Sequence, residues 1–317
     1  MARYLVRRTV QSLFLLAVIS VLAYAILVAM PGGPLAAYLE DPDVRPEDIA
    51  RLERQMGIDQ PVLVQYFRWL WKFIQGDWGF SFSSKLSVLE LVTSRLWNTV
   101  YLMGTAMVVA LTVALPVGII SAVKQYSIID YLATALAFFG LSLPTFWLGL
   151  LLVILFAVTW PLLPAGGMAT IGQPFSIADR LQHLVLPCLT ISIVTTGIYV
   201  RYLRASMLEV LNQDYMLVAR SKGLTERQTV LRHGFKNAAI PFITIVTLQL
   251  PRLFTGAVVT ETIFAWPGMG RLFWDAALAR DYPVLMGVIT ISATLVMISN
   301  LLADLLYACI DPRVRYR

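Results

Sequence analysis

Six long apolar stretches, at 9–30, 99–123, 131–160, 184–203, 240–263 and 284–310, alternate with polar segments along this 317-residue chain. A helix needs roughly 20 apolar residues to cross a bilayer, so each stretch reads as a membrane-spanning helix. The third is overlong and carries Pro144 near its middle. Proline removes a backbone hydrogen bond and kinks a helix, which predicts a bent or tilted span. The first stretch has Arg7 and Arg8 ahead of it and a small-residue pattern at Ala23–Ala25. Its apolar part runs on to Met30, longer than the core of a secretory signal, so it is expected to remain as an uncleaved span. The expected fold is all-α, a polytopic membrane protein with six transmembrane helices.

The polar segments divide the chain further. Residues 1–30 form the N-terminus and first span, 31–98 a long loop, 99–310 a five-helix core, and 311–317 a tail. Within the core lie a basic loop at 205–239 and a turn at 264–283 on the opposite side. The long loop opens on "PGGP", continues with the polar helical pattern "RPEDIARLERQMG" and ends in "PVLVQYFRWLWKFIQGDWGFSF". Aromatic rings favour the headgroup level, so this last piece predicts an amphipathic helix lying on the membrane surface. A stacking platform for sugar rings is the minor alternative.

Composition sharpens this picture. Hydrophobic residues make up 58% of the chain and charged ones 14%, far from the balance of a soluble domain. With the N-terminus in the cytoplasm, the inner segments carry 14 Lys and Arg against 5 acids, and the outer segments 10 against 12. The positive-inside rule therefore places both termini in the cytoplasm. The same rule explains the net charge of +6 without nucleic acid. The two cysteines, Cys188 and Cys309, fall in apolar runs and imply no disulfide framework.

No catalytic residue and no metal-ligand set can be assigned. His183 and His233 fall on opposite sides of the membrane in this topology, and no phosphate-binding GxxxxGK[ST] run occurs. Charges inside spans are costly and default to functional candidates. There are three. Glu261 lies near the outer end of the fifth span, where it can simply reach the surface. Asp304 lies near the inner end of the sixth and is expected to bond to a neighbouring helix. Arg252 follows Pro251 in mid-span, with no acid nearby in its own helix. The proline should leave the Thr247 carbonyl without its helical partner. Arg252 is therefore the candidate for a translocation pathway, with a fixed interhelical ion pair as the equal alternative.

The basic loop is internally specified. Residues 213–222 can form a short helix, Gly223 is a natural left-handed C-cap, and Thr225 followed by Gln228 is a capping box that starts a second helix. Two capped helices are poor material for a floppy tether, and a solvated or lipid-facing loop is the bland alternative.

"ARSKGL" at 219–224, followed by "RHGFKNAAIP", resembles the EAA loop of ATP-binding-cassette importer permeases of the dipeptide, oligopeptide and nickel type. Counting back from Gly223, Ala219 occupies an alanine position while Leu217 and Val218 replace the usual Glu-Ala. "PGGP", "GIDQPVLVQY", "SLPTFWLGLLL", "HLVLPCLT", "RASMLEVLNQDY", "ETIFAWPGMGRL", "ARDYPV" and "NLLADLLYACIDPRVRY" resemble the same family in order along the chain, in its first, B-type permease. The resemblance implies a type I importer permease fold and a transport subunit without enzymatic activity. The implied partners are a homologous second permease, two ATP-binding subunits that hold ATP and Mg, and an external solute-binding protein. The implied setting is the cytoplasmic membrane of a bacterium or archaeon. The chain itself is expected to bind no cofactor. Di- or oligopeptides are the implied cargo, with nickel chelates or glutathione as the alternative and an ion-coupled secondary transporter as a remote one. The resemblance assigns ATPase docking to Asp214, Tyr215, Ala219, Arg220, Ser221, Lys222, Gly223 and Leu224. Contacts with the binding protein are expected at Arg51, Trp266 and Arg280.

Overall fold

The computed structural model describes residues 2–30, 51 and 59–310. The turn at 31–34, the polar helical pattern at 45–57 and the basic tail lie outside the described residues. Those described are mostly helical, with no strand beyond one isolated bridge between Phe80 and Ser87.

Helix α1 spans Ala2–Ala29, α2 spans Val62–Ile74 and α3 spans Val88–Val123. Helix α4 covers Ile128–Ser142, and α5 covers Thr145–Val153 before running on as the π-wound turn Ile154–Thr159. Helix α6 is Ile177–Leu211 and α7 is Asp214–Ser221. Helix α8 starts at Glu226–Gln228 and continues π-wound through Thr229–Phe235 into α9, Lys236–Thr247. Three short helices follow, α10 at Arg252–Thr255, α11 at Val258–Ile263 and α12 at Met269–Leu278. Helix α13, Tyr282–Ile310, is the last of the described helices.

Five of the described helical stretches are long and apolar enough to cross a membrane, and α4 with α5 completes a sixth if the bent pair is one span. The bend is 100°. Its cause is local, because the residue before a proline is pushed out of the helical region. Leu143 accordingly sits extended at φ −84°, ψ 130°, and Pro144 caps the next helix. The third apolar stretch is thus two helices meeting at a sharp angle rather than one tilted helix.

Helix α3 begins at Val88, eleven residues before the apolar run at 99, because Val88 and Val92 are buried against the start of α13 beside Val284 and Met286. Its centre packs along α6. Ala106, Ala110, Ala114, Gly118 and Ala122 recur every four residues, and the four alanines are buried. Ala110, Ala114 and Ala122 pack with Tyr199, Val200, Leu203 and Met207 of α6, and Ala106 packs with Leu184 and Cys188 earlier in the same helix. Lipid tails are as apolar as leucine, so the hydrophobic effect drives little association between spans, and close packing over small residues takes its place. A methyl on Gly118 would lie 3.0 Å from Leu203 Cδ2, which shows how closely the helices approach.

Antiparallel packing gives the bundle two ends. Arg8 of α1 bonds Asp304 of α13 at 2.8 Å at one end, the end that also carries α7 and α8. The other end holds α2, the start of α3, α12 and the start of α13.

Candidate functional site

The basic loop folds into two capped helices. Gly223 adopts φ +80° and terminates α7, with its N–H bonded to the Arg220 carbonyl at 3.0 Å. Only glycine takes that conformation without cost. Thr225 and Gln228 form a complete capping box, each side chain bonded to the other's backbone N–H. The expected order of helix, glycine stop and capped helix is therefore present, while the π-winding of the second helix was not legible. Gly234 lies in that π segment, where a methyl would meet Met216, Leu211 and Met207 at 3.4–3.6 Å.

The exposed face of α7 differs from the expected docking set in one respect. Ala219 is buried with Met216 against the bundle, so the close approach that its small side chain allows is internal. The outward face carries Tyr215, Leu217 and Val218, exposed by 42%, 67% and 52%, together with Arg220, Ser221 and Lys222. Leu217 and Val218 are the two residues that depart from the Glu-Ala of the EAA pattern, and they place apolar surface on a basic loop. Asp214 and Gly223 are exposed and Leu224 is partly buried. Arg220 forks onto Glu226 at 3.0 and 3.2 Å, which ties the two helices together and holds its guanidinium above the usual range.

Arg252 does not sit in a continuous helix. The chain tightens after Thr247 into a run of three-residue bonds, and Gly256 at φ +75° ends α10. One of these bonds, from Leu250 N–H to the Thr247 carbonyl at 3.1 Å, supplies the partner that Pro251 withholds. The expected orphan carbonyl is thus satisfied by local tightening. The exposed Arg252 lines a cavity of about 320 Å3 between α3, α5, α6 and the broken segment. Met103 and Met107 form one wall, and Gln249, Thr145 and Thr195 add polar groups. Tyr199 and Thr260 also line it, and their hydroxyls are buried without a hydrogen-bond partner among the described residues. Such groups normally find a partner.

Glu261 does not reach the surface. It is fully buried and completes the N-terminus of α12. Gly268 precedes that helix and has no side chain to cap it. The Arg271 N–H donates to Glu261 Oε2 at 3.0 Å, and the Met269 N–H donates to Thr99 Oγ1 at 2.7 Å. The Thr99 hydroxyl in turn donates to Glu261 Oε1 at 2.9 Å. A carboxylate suits a helix N-terminus because unpaired N–H groups and the helix dipole both favour negative charge there. "ETIFAWPGMG" is thereby a capping unit formed across two helices.

This unit corrects one expected contact. Trp266 is fully buried, stacked on Tyr101 with Nε1 bonded to the Asn98 carbonyl at 3.0 Å, so it cannot meet an external protein. Arg280 is partly exposed in a left-handed turn at φ +52°, and Arg51 is exposed.

A further ion pair was not anticipated. Asp130 is 2% exposed and receives Arg204 of α6 in a fork, Nε at 2.6 Å and Nη2 at 2.8 Å. Ser121 and the Tyr126 N–H donate to the same carboxylate. The pair locks α6 to the α3–α4 turn next to the basic loop. Asp304 bonds a neighbouring helix as expected, through Arg8. His183 is buried at the end opposite the basic loop with Nδ1 2.8 Å from the Asp179 carbonyl. Among the described residues no cluster of His, Cys, Asp or Glu is placed to hold a metal ion.

Comparison with known proteins agrees with this architecture. Residues 114–316 match the family described as binding-protein-dependent transport system inner membrane component, and residues 1–103 match the corresponding N-terminal family. The oligopeptide transport system permease protein AppB of Bacillus subtilis (strain 168) is 43% identical over 317 residues, covering all of both chains. The dipeptide transport system permease protein DppB of Escherichia coli (strain K12) is 37% identical over 320 residues, covering 94% of each. The glutathione transport system permease protein GsiC of Salmonella paratyphi A is 37% identical over the full length of both. A chain of the inward-facing MetNI methionine ABC transporter superposes with a TM-score of 0.54 at 16% identity, covering 70% of this chain and 97% of that one, and shares the fold. The chain is therefore a multi-pass ABC importer permease, a transport subunit rather than an enzyme, and it belongs to the family of binding-protein-dependent transport system inner membrane components.

Proposed function

We propose that this protein forms half of the pathway of an ATP-driven importer for di- or oligopeptides, with α7 presented to an ATP-binding subunit. The observation that carries the cargo reading is the cavity at the break after α9. It sets a guanidinium and two methionines around one space, walled by two residues whose buried hydroxyls have no partner among the described residues, a lining suited to a ligand with a carboxylate and variable side chains. Arginine stays protonated and offers a planar fork to a carboxylate. The names of the relatives support the same class, and glutathione, itself a peptide with two carboxylates, falls within it.

In this reading the basic end is cytoplasmic and both termini lie there. A homologous permease supplies the other half of the pathway, an external binding protein delivers cargo near Arg51 and Arg280, and two separate subunits bind ATP and Mg. Tyr215, Leu217, Val218, Arg220 and Lys222 make the ATPase contact. Asp214, Ser221 and Leu224 border it, Ala219 seats the helix and Gly223 turns the chain away. Closure of the ATPase pair then biases the spans through a rigid contact, since α7 is braced by Arg220–Glu226 and α6 by Arg204–Asp130.

The test is uptake by the complete transporter in proteoliposomes. Arg252→Gln should leave assembly intact and lower uptake of peptides with a free C-terminal carboxylate by roughly tenfold, in line with a charge-assisted bond of about 1.5 kcal/mol or more. Uptake of the same peptides with an amidated C-terminus should be unchanged. Equal uptake of both forms by wild type and variant would refute the pathway role. Failure to assemble would instead make Arg252 part of a fixed ion pair with the second permease.

A further inference from the structure

At the end opposite the basic loop, a groove of about 460 Å3 runs between α1, α2, the loop 77–85 and the start of α13. Its volume is that of a small-molecule site, which typically spans roughly 300–1,000 Å3. We propose that it holds one anionic phospholipid of the leaflet at that end.

The placement of α2 is the first support. Leu63, Phe67, Trp71 and Ile74 form an exposed apolar stripe at helical spacing, with exposures of 63–69%. A stripe of that kind is stable only against hydrocarbon, so α2 lies at the boundary of the bilayer core. The opposite side of the same helix faces the groove. The groove is therefore level with lipid headgroups and open to the acyl region.

The lining is the second support. Trp69 and Trp78 provide rigid apolar walls, since Trp69 packs on Tyr24 and Phe73, and Trp78 stacks on Phe73 at 4.4 Å with Nε1 bonded to the Phe73 carbonyl. Leu27 and Met286 line the inner part. These surfaces suit an acyl chain. Arg68 and Lys72, one turn apart on α2, both line the groove, as does Lys85. Asp77 is the one acid among the lining residues, and its carboxylate accepts from the Gly79 N–H at 3.2 Å. Cations thus outnumber acids at a rim whose interior is apolar, the charge pattern of a phosphodiester joined to a chain.

The third support is Tyr282. It lines the groove, is 6% exposed, and its hydroxyl is buried with no hydrogen-bond partner among the described residues. A buried hydroxyl without a partner calls for an explanation, and a side-chain shift of Tyr282 toward the groove would give it a phosphate or ester oxygen as acceptor.

The test uses the assembled transporter, delipidated in detergent and titrated with dioleoyl phosphatidylglycerol, dioleoyl phosphatidylcholine or inorganic phosphate, with bound lipid counted by native mass spectrometry. Wild type should bind one phosphatidylglycerol more tightly than the rest. The double variant Arg68→Ser, Lys72→Ser should bind that lipid roughly 30-fold more weakly, about fivefold for each cation removed, with phosphatidylcholine unaffected. Met286→Trp fills the apolar part, keeps both cations and should abolish the tight event, so it decides the matter where the double variant does not assemble. Equal phosphatidylglycerol binding by an assembled variant would overturn the proposal. So would displacement of the lipid by inorganic phosphate, which would make the groove a simple anion site, or its displacement by a peptide, which would make it part of the cargo route.

Discussion

Replacing Glu261 with glutamine tests the idea that a buried carboxylate, rather than a local cap, sets the geometry of the α11–α12 turn. The side chain keeps its volume, but one oxygen becomes a donor. An amide nitrogen at the Oε1 position faces the Thr99 hydroxyl and the Ala257 N–H, bonded to the wild-type carboxylate at 2.9 and 3.4 Å. At the Oε2 position it faces the Arg271 N–H, bonded at 3.0 Å. Either way at least one buried donor loses its acceptor, at a cost of ~1–3 kcal/mol. The charge that meets the first turn of α12 also disappears, worth another ~0.3–1 kcal/mol. Relief of the carboxylate's desolvation opposes these terms, and the net loss should be about 2 kcal/mol. At roughly 2–4 °C per kcal/mol for a chain of this size, the melting temperature of the assembled transporter in detergent should fall by about 4–8 °C. Gly268→Ala should do at least as much, because the added methyl would lie 2.6 Å from Thr99 Oγ1 and closer still to Glu261 Oε2. A Glu261→Gln transporter melting within about 1 °C of wild type would show that the carboxylate is not what holds the turn.

Asp130→Asn should be more damaging, by about 3–5 kcal/mol, since it leaves the Arg204 guanidinium without its counter-charge; a complex that still assembles in normal yield and resists heat like wild type would contradict this. Arg8→Gln should cost under about 1 kcal/mol despite breaking a 2.8 Å pair with Asp304, because Arg8 is 44% exposed there; thermal melting checks it. Leu217→Asp should leave the spans folded and abolish ATP hydrolysis stimulated by the binding protein, whereas full stimulation would move the docking face elsewhere. Gly223→Pro should uncouple transport, because proline's φ near −65° cannot replace +80° and the N–H bonded to Arg220 is lost; peptide uptake in proteoliposomes is the measurement.

Much of this was legible in the sequence where the signal is local. Apolar length gave the spans, Gly223 and the Thr225/Gln228 pair gave the loop's helices, and the aromatic-rich run at 61–82 gave α2. The break at Pro144 was foreshadowed by the proline itself, though its 100° angle depends on packing that no single residue records. What stayed hidden depends on pairs distant in sequence. Asp130 and Arg204 are 74 residues apart, and Thr99 and Glu261 are 162 apart. Nothing near Glu261 shows that its oxygens serve a helix eight residues on with help from α3. The burial of Trp266 is hidden for the same reason, since a tryptophan in an outer turn suggests the surface until Asn98 and Tyr101 are seen to enclose it. The small-residue stripe of α3 was readable, at a spacing of four from Ala106 to Ala122, and is a signal that hydropathy alone passes over.

The pairing of α1 with α13 has a consequence for how the protein is made. The Arg8–Asp304 bond joins residues 296 apart, and Leu27 belongs to a cluster otherwise drawn from α3, α12 and α13. At roughly 5–20 residues per second, synthesis leaves α1 waiting about 15–60 s for its last partner to leave the ribosome. During that interval the helix must remain in the bilayer with α2 beside it, through the Ser20–Tyr66 bond at 2.8 Å, and with its backbone groups bonded internally and lipid over the rest of its surface. Its side chains suit that exposure, since Ser20 and Leu27 are its buried residues among those described and Leu13, Phe14, Leu22 and Ile26 remain more than half exposed in the finished bundle. Helix α1 is thus built to hold its place in the bilayer before α13 arrives, and α13 is what draws it into the bundle.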